Sequence, residues 1–267
     1  MMRILYISML LVFLLTNCRK SKEKSIQSSK DYALVQTNIS LVAPLVIHTI
    51  QSRSYLLERL RSNEDTLNSC AAYTYIQGDT VDISNQNVQF EILFVNCIDF
   101  DGALKNGSLI VTLDNYFDVD SAFCSVLLDN FSINDNIMSG SITLKRIGSN
   151  NFELVSSNIK VIVETRQISF TGKSTVNLGT GVDTELLYDN AFDLQDEGSL
   201  VDRFGNLSLC LATDLKRNFS CNWITSGFVE LEDIDGDSQI LDFGNGICDN
   251  LGSITYAEEE VTFAIGQ

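Results

Sequence analysis

The residues of this chain best able to do chemistry are carboxylates. Glu230, Glu232, Asp233, Asp235 and Asp237 crowd around Gly236, and Asp242 follows shortly after. Alternating oxygens on a flexible loop suit calcium, which takes about six to eight oxygen ligands. Asp233, Asp235, Asp237 and Asp242 form the candidate set. The stretch is not an EF-hand loop, because its glycine is displaced and the closing bidentate Glu is missing. The competing reading is structural: Asp235-Gly236 makes a hairpin turn while Glu230 and Glu232 face water. A third use, an acid and a base flanking a glycosidic bond, needs two carboxylates about 5–10 Å apart. Spacing along a chain does not define that distance.

Composition argues against several other chemistries. His48 is the single histidine, so Ser-His-Asp and Cys-His nucleophiles and multi-histidine zinc sites lack the imidazoles they need. It reads as a partly exposed structural residue of an amphipathic helix. No G-x-x-x-x-G-K phosphate loop is present.

The cysteines are the second resource. Cys70 and Cys97 stand at the same separation as Cys221 and Cys248, inside similar frames. An aromatic follows each first cysteine (Tyr73, Trp223), then a glycine (Gly78, Gly227), and Phe-x-Asn precedes each second one (Phe94 to Asn96, Phe243 to Asn245). Self-similarity at a fixed period argues for a duplicated unit. It proposes disulfides Cys70 to Cys97 and Cys221 to Cys248, leaving Cys124 with Cys210. The alternatives are buried free thiols or a metal site, although no C-x-x-C or neighbouring His accompanies any of them.

The seventh cysteine, Cys18, closes an export signal. One Arg precedes an apolar run from Ile4 to Leu15, too short for a membrane span of roughly 20 residues and right for the ~7–15-residue core of a signal peptide. Leu15-Thr16-Asn17-Cys18 resembles the lipobox of bacterial lipoproteins, which implies a signal peptide over 1–17 and a diacylglyceryl group on Cys18. Residues 18–30, polar and basic (Arg19, Lys20, Lys22, Lys24, Lys30), read as a flexible tether. Their charges suit anionic head groups; a solvated linker is the plainer alternative.

The body behind the tether is acidic. Six of the 18 basic residues and one of the 35 acidic ones precede Asp31, leaving 12 against 34. Such a surface repels phosphate backbones and argues against nucleic acid as a partner.

These residues must be positioned by two kinds of element. From Asp31 to about residue 65 apolar side chains recur at helical spacing, including Leu34, Leu41, Leu45, Leu56 and Leu60, with a kink or break expected at Pro44. From Cys70 the period becomes two. Strands are expected at Asn87 to Val95, Ser108 to Leu113, Phe123 to Leu128, Met138 to Leu144, Ile159 to Thr165, Leu207 to Leu211, Gly227 to Leu231 and Glu260 to Ile265. Turn pairs lie at Asp101-Gly102, Asn106-Gly107, Asp235-Gly236 and Asn245-Gly246, and Asp183 to Phe204 reads as a long loop. The fold class is mainly β: an antiparallel sandwich of duplicated disulfide-stapled units, over 66–166 and 167–267, preceded by a helical segment over 31–65.

Cys97-x-Asp99-x-x-Gly102, Asp114 to Tyr116, Asp129 to Phe131 and the closing DFGNGICDN of Asp242 to Asn250 complete a pattern. With the lipobox and the helix, they resemble uncharacterised envelope lipoproteins of the Bacteroidota. The resemblance implies location and fold only. The expected role is a lipid-anchored envelope protein, periplasmic or surface-exposed and attached to the outer membrane, that binds a protein or glycan without catalysis. The alternatives are a carboxylate-based polysaccharide hydrolase and a purely structural component. Calcium is the one cofactor considered.

Overall fold

The structure is a computed structural model that describes residues 2–50, 70–78, 87–98, 101–117, 119–180, 190–256 and 259–266. One helix, α1 (Met2–Ile50), precedes thirteen strands. The strands are β1 (Ala71–Gln77), β2 (Val88–Ile98), β3 (Leu104–Leu113), β4 (Phe123–Ile133), β5 (Asn136–Arg146), β6 (Asn151–Val163) and β7 (Arg166–Leu178). They continue with β8 (Ala191–Val201), β9 (Leu207–Asn218), β10 (Ser226–Asp233), β11 (Ser238–Asn245), β12 (Leu251–Tyr256) and β13 (Glu259–Ala264). All form one antiparallel sheet in chain order, each strand paired with the next.

The expected mainly β, antiparallel architecture with an N-terminal helix is therefore present. Its two halves share one sheet and one core: β6 and β7 pair along their length across the expected boundary at 166/167. The repeat survives as a local device. Cys70 and Cys97 clasp the open end of the β1–β2 hairpin, Cys221 and Cys248 that of β10–β11, each across a separation of 27 residues.

Every residue of α1 from Asp31 to Ile50 is buried. A helix covered round its circumference by one sheet requires that sheet to curl about it. The 29 residues Lys22–Ile50 are apolar and long enough to cross a bilayer, yet their apolarity is accounted for by Leu34, Ile39, Leu41, Leu45, Val46 and Ile50, each at most 4% exposed inside the sheet. His48, expected to be partly exposed, is 2% exposed. The helical pattern of residues 51–65 lies outside the described residues.

The curl comes from bulges. Register shifts interrupt the pairing of β2–β3, β3–β4, β4–β5, β5–β6, β6–β7, β8–β9 and β9–β10. At three of them a left-handed Asn or Asp faces a positive-φ glycine on the next strand. Asn130 (φ 47°) faces Gly107 (φ 86°), Asn158 (50°) faces Gly140 (118°), and Asp214 (52°) faces Gly227 (110°). A Cβ on Gly107 would lie 2.0 Å from the Asn130 carbonyl oxygen, and one on Gly140 2.6 Å from that of Asn158. Bulges increase twist and bend strands, so a series of them rolls the sheet. Asn106-Gly107, expected as a turn, is one of these bulges inside β3.

Three further expectations are corrected. Residues 18–30 are helical rather than a tether, and Lys22, Lys24 and Ser28 find partners on the sheet. Asp183 to Phe204 is not a loop through its length: residues 181–189 lie outside the described residues, but Ala191–Val201 is strand β8. And of the kink or break expected at Pro44, the break is absent: α1 runs through it. The proline removes the donor that Ser40's carbonyl would have received. The same turn gains donors from the sheet, where Arg217 Nη1 donates to Thr37 O (3.1 Å) and Ser40 Oγ (2.8 Å).

Candidate functional site

The contacts that seat the helix step along it. Lys22 pairs with Glu259 beside the β12–β13 turn, and Lys24 with Asp233 at the β10–β11 turn (2.8 Å). Ser28 Oγ donates to Asp202 (2.9 Å), and Arg203 forks onto Asp31 through Nη2 (2.6 Å) and Nε (2.8 Å), both from the β8–β9 turn. Lys30 sits 5.7 Å from the Phe263 ring. The basic residues 22, 24 and 30, expected to be free for lipid head groups, are thus committed to the protein. Burial pushes the Asp31 carboxyl above its ordinary range, and Arg203 offsets only part of that.

Deeper in, three donors converge on Asp196. Tyr32 Oη (2.8 Å) and Gln36 Nε2 reach one oxygen, and Ser174 Oγ (2.8 Å) the other. Burial raises its pKa to about 6, with the three hydrogen bonds pulling against it. Beyond it Arg217 is fully enclosed. Its Nε donates to Cys221 O (2.9 Å), Nη2 has no partner, and burial lowers its pKa to about 9, with Asp101 acting in the opposite sense. Asp101 receives both bonds of Lys105 Nζ at 2.6 and 2.8 Å, and neither side chain is more than 2% exposed.

The predicted calcium ligands are not brought together. Asp233 Oδ1 accepts the N–H groups of Asp235 (2.9 Å) and Asp237 (3.1 Å), and its Oδ2 holds Lys24. Burial pushes its carboxyl up, but Lys24 and the two N–H groups outweigh this and leave it below its ordinary value. Asp242 lies opposite Phe228, further along β11 than the Glu232–Ser238 pair that closes the turn, and spends Oδ1 on Gly244 N (2.7 Å). Among the described residues no three His, Cys, Asp or Glu side chains form a metal-binding group. The hairpin-turn reading of Asp235-Gly236 holds, with Gly236 at φ 85°.

The third expected disulfide is also corrected. Cys124 and Cys210 are buried free thiols. Cys124 lies on β4 between Leu113 and Leu144, Cys210 on β9 between Gly198 and Leu231, five strands apart in the sheet. Burial pushes both thiols well above their ordinary range, so they act as small apolar fillers. The side chain of Cys18 lies outside the described set; its backbone belongs to α1.

What remains accessible is on the outer face. The closing motif lines an open depression of about 200 Å³ walled by Asp242, Asn245, Ile247, Asp249, Ser253 and Glu260. Asp249 accepts Leu251 N (3.0 Å), shaping the rim. A second depression of about 330 Å³ includes Lys173, Gln195, Glu197 and Leu211 over the β8–β9 bulge. Asp196 lies beneath it with its oxygens turned to the helix, 3% exposed. The carboxylates, hydroxyls and exposed Ile247 of the first depression suit hydrogen bonding to a polar or cationic surface.

No family model matches this chain, and neither a curated protein nor a solved structure matches it.

Proposed function

We propose that the protein is a lipid-anchored component of the cell envelope, attached through Cys18 to the outer membrane, that binds another protein or a glycan on its outer face without catalysis. The observation that carries the binding reading is the filled interior. A curled sheet commonly offers a ligand its lumen, but here α1 occupies it, with buried Asp196, Asp202 and Arg217 spent on holding the helix. Recognition is left to the outer face and its loops, foremost the closing motif Asp242 to Asn250. The two disulfides suit an oxidising compartment. The short apolar segment ahead of Cys18 supplies the export signal. The likeness of the closing motif to Bacteroidota envelope lipoproteins belongs to the same reading.

Replacing Cys18 with Ser is expected to release the protein from membranes into the soluble fraction; continued retention would overturn the anchor. Calcium is not part of this reading, because Asp233 is saturated by Lys24 and two backbone donors. A soluble fragment from Arg19 onward is expected to melt at the same temperature with and without millimolar calcium, whereas a rise of several degrees would reinstate the metal.

A further inference from the structure

We infer that the hairpin end carrying the β8–β9 and β10–β11 turns is the face this protein sets against the bilayer, with lipid head groups as its partner. The inference rests on Cys18 being the lipidated residue and adds an orientation to that reading.

The argument is one of leash length. Lys22 pairs with Glu259 at the surface and Lys24 with the better-buried Asp233, so the chain meets the sheet four residues after Cys18 and is secured by the sixth. In the helix seen here those four residues rise about 6 Å, and fully extended they reach about 14 Å. A lipid on Cys18 therefore cannot hold the body at a distance or let it tumble. The turns nearest the leash must lie at the interface, and they carry the apolar side chains such a place accepts. Ile234 at the β10–β11 tip is 74% exposed and Phe204 at the β8–β9 tip 59%, with Leu207 beside it at 40%. Arg166 lies 4.3 Å from the Phe204 ring, an aromatic and cation pairing suited to the head-group layer. The acidic neighbours Asp235, Asp237 and Glu260 favour zwitterionic over anionic lipid.

The opposite end supplies an internal reference. The single tryptophan, Trp223, lies in the β9–β10 connection. It would touch a Cβ on Gly266, and that position also approaches Leu34. Leu34 is ten residues further along α1 than Lys24, which places Trp223 about 15 Å deeper into the body than the Asp233 turn.

The test uses the processed, full-length protein in phosphatidylcholine vesicles containing a lipid with a dansyl head group, together with mass determination of the N-terminal peptide. Energy transfer from native Trp223 is measured first, with no substitution. Ile234→Trp and Phe204→Trp are then each measured in a Trp223→Phe background that melts like the parent. The expected result is a diacylated Cys18 and transfer from positions 234 and 204 at least twofold greater than from Trp223. Equal or greater transfer from Trp223 with the lipid present overturns the orientation and leaves the anchor standing. An unmodified Cys18 overturns both. Should the Phe background fail to fold, strong transfer from Trp223 in the unsubstituted protein still overturns the proposal and weak transfer supports it.

Discussion

Asp196 is a buried residue whose ionisation bears on the fold. Its pKa is about 6 in the folded chain, raised by burial, against roughly 3.9 when unfolded. The folded state therefore holds the proton more tightly. Its favourable contribution is complete below about pH 4 and is lost as pH rises through about 6. Asp196→Asn, which leaves an acceptor for Tyr32 and Gln36, is expected to raise stability at pH 7.5 by about 1–3 kcal/mol and to change little near pH 4. Denaturant titrations at the two pH values check this; an equal effect at both would assign the change to packing instead. The same residue explains what sequence inspection could not see. The inward positions of β8 are Phe192, Leu194, Asp196, Gly198 and Leu200, and a carboxylate and a glycine there erase the alternation that marks a strand. Gly198 is needed for room, since a Cβ would lie 2.8 Å from the Phe170 ring, which meets Tyr32 edge-on.

Among the elements, the hairpins that sequence reasoning placed correctly are those with plain alternation and a glycine at the tip, such as β10–β11 around Asp235-Gly236. It also read the two hairpin clasps, because equal spacing in equal frames reflects equal topology. It misread the bulge at Asn106-Gly107 as a turn, because an Asn or Gly that bends a strand has the same local chemistry as one that ends it. The two uses separate on mutation. Gly140→Ala drives a methyl into the Asn158 carbonyl and is expected to cost more than about 2 kcal/mol or to prevent folding. Gly236→Ala, with nothing within 4 Å, is expected to cost only the left-handed strain of about 1–2 kcal/mol. Thermal melts of the pair settle the order, and a costlier tip than bulge would contradict the assignment. The helix was legible from its apolar spacing, but its start was not. The polar stretch 18–30 reads as linker until the acids that pair with Lys24 and Lys22, 209 and 237 residues away, are brought alongside.

For the molecule as a whole, the cysteine ledger gives a test without mutation. Seven cysteines less four in disulfides leave Cys18, Cys124 and Cys210. The native protein is expected to show Cys124 and Cys210 unreactive to a thiol reagent. After denaturation without reductant, two thiols should appear if Cys18 carries lipid and three if it does not. Reduction of both clasps, each closing a loop worth about 3–4 kcal/mol in the chain-entropy account, is expected to lower the melting temperature by well over ten degrees at roughly 2–4 °C per kcal/mol.

The stepping of contacts along α1 also fixes an order of assembly. The part of the helix that is made first is secured last, since Lys22 waits for Glu259, 237 residues later, and Lys24 for Asp233. Until β10 to β13 arrive, the partners of Lys22 and Lys24 are missing, and a chain cut short before them stays unfinished at its own start. Completion of the C-terminus thus becomes the step that commits the whole chain. Contacts of such long sequence separation make that step slow, leaving a window in which a truncated copy stays open to proteolysis.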